Sequence, residues 1–144
     1  MRDLSRFKDN YFDLIIHPVS NCFVDNVLPV WEEAYRILKK GGILISGFGN
    51  PIQYIFDLKG MNSGELVVRH KIPYSDLNLP EDELKEMIID NNECICFGHS
   101  LEDQIQGQIK AGFLIAGFYE DNSGGDEPLD PYIDTFIATK AIKI

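Results

Sequence analysis

The sequence predicts an α/β fold whose sheet is mostly parallel, with a reversed final strand and a small inserted cap. Three observations predict it. Residues 10–51, NYFDLIIHPVSNCFVDNVLPVWEEAYRILKKGGILISGFGNP, read as strand, turn, helix and strand. A second helix-then-strand pattern follows at residues 100–120. A last strand at 134–141 is separated from it by the turn-rich DNSGGDEPLDP, which lets it run antiparallel to its predecessor. Two buried strands joined by a helix make a right-handed parallel crossover.

The first strand is the apolar run from Tyr11 to Val19, closed by Pro18, a pattern that suits burial on both faces. The helix is expected over residues 27–40. Val27, Val30, Trp31, Ala34, Ile37 and Leu38 fall on one stripe at helical spacing. Asp25 or Asn26 caps its first amides, and Pro29 lies in the first turn, where a missing N–H costs little. Glu32 and Glu33 sit nearer the positive end of the helix dipole, and Lys39 and Lys40 at the negative end. Gly41 is expected to end the helix in the left-handed conformation. Gly42 leads into a second buried strand, Ile43 to Phe48.

Beyond Asn50-Pro51 the pattern weakens. Residues 60–64 read as a flexible link, 65–72 as a strand by alternation and β-branching, 80–90 as a short helix with Leu84, Met87 and Ile88 on one face, and 93–97 as a short strand. Ser100 starts a third helix whose buried stripe is Leu101, Ile105 and Ile109, and Gly112 ends it. Phe113 to Glu120 is expected to be a buried strand.

Composition bounds the function classes. With 144 residues the chain forms a single domain able to bury roughly 70% of its unfolded surface. A net charge of −10 argues against a nucleic-acid backbone as partner, which needs clustered Lys and Arg. No long apolar segment, signal peptide or basic run points to a membrane or to export. Three cysteines suit a reducing cytoplasm better than a disulfide framework. Cys94 and Cys96 have no second pair to complete a zinc site, and the acids of residues 121–131 lack ordered ligand spacing, so no metal is expected.

MRDLSRF, then NYFDLIIHPVSNCF, then PVWEEAYRILKKGGILISGF together resemble the central part of class I S-adenosylmethionine-dependent methyltransferases, with their Rossmann-like sheet. Asp3-Leu4 matches the family's adenine-side pair, and Phe12-Asp13-Leu14-Ile15 matches the strand that ends under the methionine part of the cofactor. Ile37 to Gly42 matches the helix end, with Lys40 where proline is usual. The resemblance is close over residues 1–51 and extends to the last strands by pattern. The family's glycine-rich cofactor loop and its ribose-binding acid have no counterpart in these residues. Gly47-Phe48-Gly49 follows the wrong strand and lacks a third glycine. The chain is therefore read as the carboxyl-terminal half of such a domain, with residues 52–98 as its acceptor-side cap.

What the resemblance implies for the site starts at His17. It stands at the carboxyl end of a central strand, where open sheets bind ligands. It either contacts the cofactor or accepts the acceptor's proton as catalytic residue; the plain alternative is a buried histidine bonded to backbone. Asp3, Leu4, His17 and Val19 are the expected cofactor wall. Asn21, Cys22, Asn50, Tyr54 and His99, with His70, are placed on the acceptor side. Cys22 has no basic partner in sequence reach and reads as a pocket wall. Asn50-Pro51 resembles part of an amino-methyltransferase motif, but Ile52 stands where a second proline is needed; a turn leaving the sheet is the alternative. The expected activity is methyl transfer to a small-molecule acceptor, with weak cofactor binding by this chain alone. The alternative is a non-catalytic remnant serving as an oligomerisation or partner-binding module. A homodimer is expected, through the open edge of strand 11–18 or through exchange of residues 52–98.

Overall fold

The apolar stripe expected at residues 27–38 forms the centre of the protein: Val27, Val30, Trp31, Ala34, Ile37 and Leu38 are all buried. The computed structural model describes residues 1–144. Strand β1 (Phe12–His17) leads through a tight turn into helix α1 (Leu28–Ile37) and then β2 (Leu38–Gly49). The cap region holds α2 (Leu58–Asn62), β3 (Tyr74–Ser75), α3 (Glu81–Lys85) and β4 (Phe97–Gly98). A π-helical turn (Glu102–Gln106) runs into α4 (Gly107–Ala111), followed by β5 (Phe113–Asp121) and β6 (Phe136–Lys143).

The main sheet has the order β1-β2-β6-β5. Strands β1 and β2 are parallel, and β6 runs antiparallel to both its neighbours. The reversed final strand is as expected, but the sheet is mixed rather than mostly parallel. The long β5–β6 loop lets the last strand turn back and insert between β2 and β5, so it reverses two pairings at once.

Helix α1 ends three residues earlier than its sequence pattern suggests. Asn26, of the two candidate caps, accepts from the Leu28 amide at 3.0 Å. At the other end Leu38 turns extended (ψ 143°), and Lys39 and Lys40 belong to β2 rather than to the helix terminus. Phe12 pairs with Leu38 and Leu14 with Ile43, so β2 carries extra residues that must bulge out. Gly41 takes a positive φ (+78°), but it serves this bulge and not a helix cap. Burying Leu38 in the core wins over another half-turn of helix, and Lys39 instead reaches Asp13 at 2.8 Å.

Helices α1 and α4 pack on one face of the sheet, around Trp31, Leu38, Leu44, Phe113 and Ala141. The opposite face is bare. Strand β1 is thus not buried on both faces: Leu14 is 50% and Ile16 69% exposed. Strand β5 is likewise an edge, with Leu114, Phe118 and Tyr119 exposed, so the expected burial there is corrected too.

The third helix begins as predicted, with Ser100 Oγ accepting from the Asp103 amide and Asp103 accepting from the Ser100 amide, each at 3.1 Å. Gly112 ends it at φ +110°. Its buried face, however, is Gln104, Gly107 and Gln108, while Leu101 and Ile109 are exposed. The π-turn explains the difference: one extra residue in a turn rotates everything beyond it out of the α-helical phase that selected Leu101, Ile105 and Ile109.

In the cap, the helix expected at 80–90 is present as α3 continued by a π-helical turn (Glu86–Asp90), with Met87 buried. The strand expected at 65–72 is not formed. Only Val68 makes an isolated bridge, to Phe56, and Val67 and Val68 remain exposed because no sheet faces them. The strand expected at 93–97 shrinks to the two residues of β4, which pair with β3.

Candidate cofactor and acceptor site

Sheet register puts His17, Ser46 and Thr139 in one row across β1, β2 and β6. Paired residues in a sheet share a face, and this one is covered by α1 and the 102–111 helix. A row of polar side chains under a helix must find partners, which is why that helix turns glutamines inward. His17 Nε2 donates to Asn21 Oδ1 at 2.7 Å, and Asn21 Nδ2 donates to Gln104 Oε1 at 2.7 Å. Gln108 Nε2 donates to the Gln104 carbonyl, and Thr139 Oγ1 donates to Gln108 Oε1, both at 3.0 Å. Ser46 Oγ is buried without a partner. Trp31 meets the His17 ring edge-on, with centroids 5.7 Å apart, and its Nε1 donates to the Asp103 carbonyl.

Burial pushes His17 below the ordinary histidine value, against a smaller opposing effect of Asn21, so the ring is neutral at neutral pH. With Nε2 donating, Nδ1 carries the lone pair. Sequence reasoning missed Gln104, Gln108, Ser46 and Thr139. The i, i+4 spacing of the two glutamines was the available signal, but it competed with a stronger apolar stripe.

A small crevice opens beside this row, lined among others by Val19, Asn21, Cys22, Tyr54 and His99. Five of the residues singled out in the sequence therefore do converge. His99 is buried there, and its Nε2 donates to the carbonyls of Asn21 (3.1 Å) and Val24 (2.8 Å). It thus clamps the turn that follows β1. Cys22 lies near Tyr54 and Cys96, and burial raises its thiol. Cys96 is pushed up to about 12, first by burial and then by its neighbours. Neither is a thiolate at neutral pH, which leaves Cys22 as wall.

Tyr54 borders this crevice and also a larger cavity of about 710 Å³ in the cap. Gly98 permits its position, since a Cβ there would stand 2.6 Å from Tyr54 Cγ. Asn50 lines neither hollow. Its Oδ1 accepts from the Ile52 amide and its Nδ2 donates to the Asp134 carbonyl, both at 3.2 Å, so it caps the turn that launches residues 51–54. His70 packs against Tyr74 on the cap's outer side.

Asp3 and Leu4 stand apart from the crevice, in a segment fastened to α1. Arg36 grips Glu33 through Nε and Nη2 (2.7 and 2.9 Å) and donates to the carbonyls of Leu4 (3.0 Å) and Phe7 (2.9 Å). Glu33 accepts the Leu4 amide at 2.7 Å. Asp3 is exposed, and the Ser5 amide, donating at 2.9 Å, holds its carboxyl below the usual range.

A family model described as a methyltransferase domain matches residues 1–46. A Bacillus subtilis (strain 168) protein, described as uncharacterized methyltransferase YbaJ, is 57% identical over 145 residues, covering all of this chain. The chain is a partial-length homologue of the class I methyltransferases. It spans 56% of the length of that relative. A crystal structure from Listeria monocytogenes, described as an S-adenosylmethionine-dependent methyltransferase, superposes with a TM-score of 0.69 at 14% identity, over 99% of this chain and 66% of the other. One from Mesorhizobium loti gives 0.67 at 12% identity, over 95% and 64%. These likenesses carry the Rossmann-like methyltransferase fold.

S-Adenosylmethionine is the cofactor of these structural relatives by their descriptions. The methyltransferase residues present here fit one wall of such a site. Val19, at the carboxyl end of β1, is 44% exposed and free to meet an apolar part of a ligand. Asp3 is exposed at the other end of the same edge. No group of three His, Cys, Asp or Glu side chains is arranged to hold a metal ion, and no helix is long and apolar enough to cross a membrane.

Proposed function

We propose that this chain supplies the acceptor side and one cofactor wall of an S-adenosylmethionine-dependent methyltransferase acting on a small molecule. The observation that carries this reading is the crevice at the carboxyl end of β1, which shares Tyr54 with the large cavity of the cap. A donor on one side of Tyr54 and an acceptor on the other would be held close without any covalent contribution from the protein. Bound there, the cofactor supplies an electrophilic methyl group. Val19, with Asp3 and Leu4 further along the edge, would bind it. His17 Nδ1 holds the lone pair that can take a proton, and the Asn21–Gln104 pair orients the ring. Three free cysteines suit a reducing compartment, so we assign the protein to the cytoplasm.

These residues contain neither a glycine-rich cofactor turn nor a ribose-binding acid. Two or three absent polar contacts at ~1 kcal/mol each weaken binding by about a hundredfold. Calorimetric titration of the chain with S-adenosylhomocysteine tests the reading. Weak saturable binding that a Val19→Glu substitution abolishes supports it. Binding indifferent to that substitution, or none at millimolar ligand, refutes it.

A second reading is favoured by one observation. Strand β1 is a sheet edge with Leu14 and Ile16 exposed, which suits a non-catalytic module that pairs with a second copy through this edge or by exchange of residues 52–98.

A further inference from the structure

The large cavity of the cap is chemically one-sided. Four carboxylates line it, those of Asp76, Glu93, Asp126 and Glu127, and no Lys, Arg or His does. None of the four takes part in an ion pair. The cations nearby are committed elsewhere: Arg69 to Asp57 and Glu83, and Lys59 to Glu86. Asp76 is the telling member because it is buried. It accepts the Tyr74 hydroxyl at 2.7 Å and the Cys96 amide, and nothing positive approaches it. A buried carboxylate held by two neutral donors keeps a desolvation cost that a cation would offset.

The remaining walls match the same ligand. Tyr54 and Tyr74 stack with ring centroids 5.7 Å apart and planes 28° from parallel. Aromatic faces attract cations electrostatically and also cover apolar groups. Met61 and Met87 add polarizable, adaptable surface. The volume of about 710 Å³ lies within the range of small-molecule sites. A bare divalent ion is a poorer occupant, since no three of these groups converge as ligands. The net charge of −10 further concentrates cations around the molecule.

We propose that this cavity binds a small organic cation, an amine or quaternary ammonium carrying an apolar body, and that the acceptor molecule belongs to this class. The second half of that statement rests on the methyltransferase reading of the neighbouring crevice; the first does not.

Calorimetric titration of the chain with phenethylamine, phenethyl alcohol and hydrocinnamate compares a cation, a neutral molecule and an anion of similar shape. The amine should bind about tenfold or more tightly than the alcohol, and hydrocinnamate more weakly still. Asp76→Asn should remove most of the preference for the amine while leaving the alcohol unchanged. Should Asp76→Asn fail to fold by circular dichroism, the exposed pair Glu93→Gln and Glu127→Gln, made together, reads the same preference. Equal binding of alcohol or hydrocinnamate, a preference unchanged in the variants, or no binding of any probe overturns the proposal. A parallel titration with S-adenosylhomocysteine separates the two claims. Amine preference without cofactor binding keeps the cation site and removes its link to methyl transfer. Cofactor binding without amine preference does the opposite.

Discussion

Gly107→Ala tests whether the inward face of the 102–111 helix is set by contact with Trp31. In an exposed helix interior this change stabilises, because alanine is favoured over glycine by about 1 kcal/mol. Here the added Cβ would stand 2.8 Å from Trp31 Cδ1 and 3.0 Å from Nε1, well inside ordinary carbon contact. The ring cannot retreat freely. Trp31 is fully buried, packs in a cluster with Val27, Ala34 and Leu38, and meets His17 on its edge. Either the helix lifts or the indole rotates and gives up its bond to the Asp103 carbonyl. Overpacking costs about 1–3 kcal/mol and the lost hydrogen bond about 1 kcal/mol. Less the propensity gain, the net is a destabilisation of about 1–3 kcal/mol. Urea unfolding followed by circular dichroism measures it, with an unchanged m-value as the control. In a Trp31→Phe background, which removes the crowding ring, the same substitution should cost far less, and the coupling between the two is the signature. A Gly107→Ala variant as stable as the parent, with no coupling to residue 31, would refute the packing account and with it the positioning of Gln104 and Gln108.

Other outcomes follow from the same geometry. His17 has a folded-state pKa below its unfolded one, so the unfolded chain binds the extra proton. Stability is therefore full above about pH 6.5 and falls as pH drops through the folded value; denaturation of His17→Gln between neutral pH and about pH 5 should show a flatter dependence than the parent. Arg36→Met removes the fork that holds residues 4–9, so hydrogen exchange should accelerate there while β2 and β6 keep their protection. If β1 pairs with a second copy, light scattering should give a dimer mass at high micromolar concentration, and Ile16→Lys, on the exposed side of the strand, should return it to a monomer near 16 kDa. A monomer at every concentration would end that reading.

The β1-α1-β2 unit, the α1 stripe, the Ser100 cap and the Gly112 stop were all legible in the order of the amino acids. Each rests on contacts a few residues apart, and the strand order then follows from chain reversal after β5. Tertiary packing alone set the helices on a single face of the sheet, since an apolar run such as LIIH reads the same whether one face or both are covered. It also chose which face of the 102–111 helix turns inward. Leu101, Ile105 and Ile109 make the stronger local pattern, but a π-turn changes the phase, and Thr139 and Asn21 from distant elements offer hydrogen bonds that only glutamines can answer. For the same reason the buried carboxylate of Asp76 and the stacked tyrosines were invisible in one dimension. Residues 54, 74, 76 and 96 meet only because the cap folds back on itself through the two-residue pairing of β3 with β4.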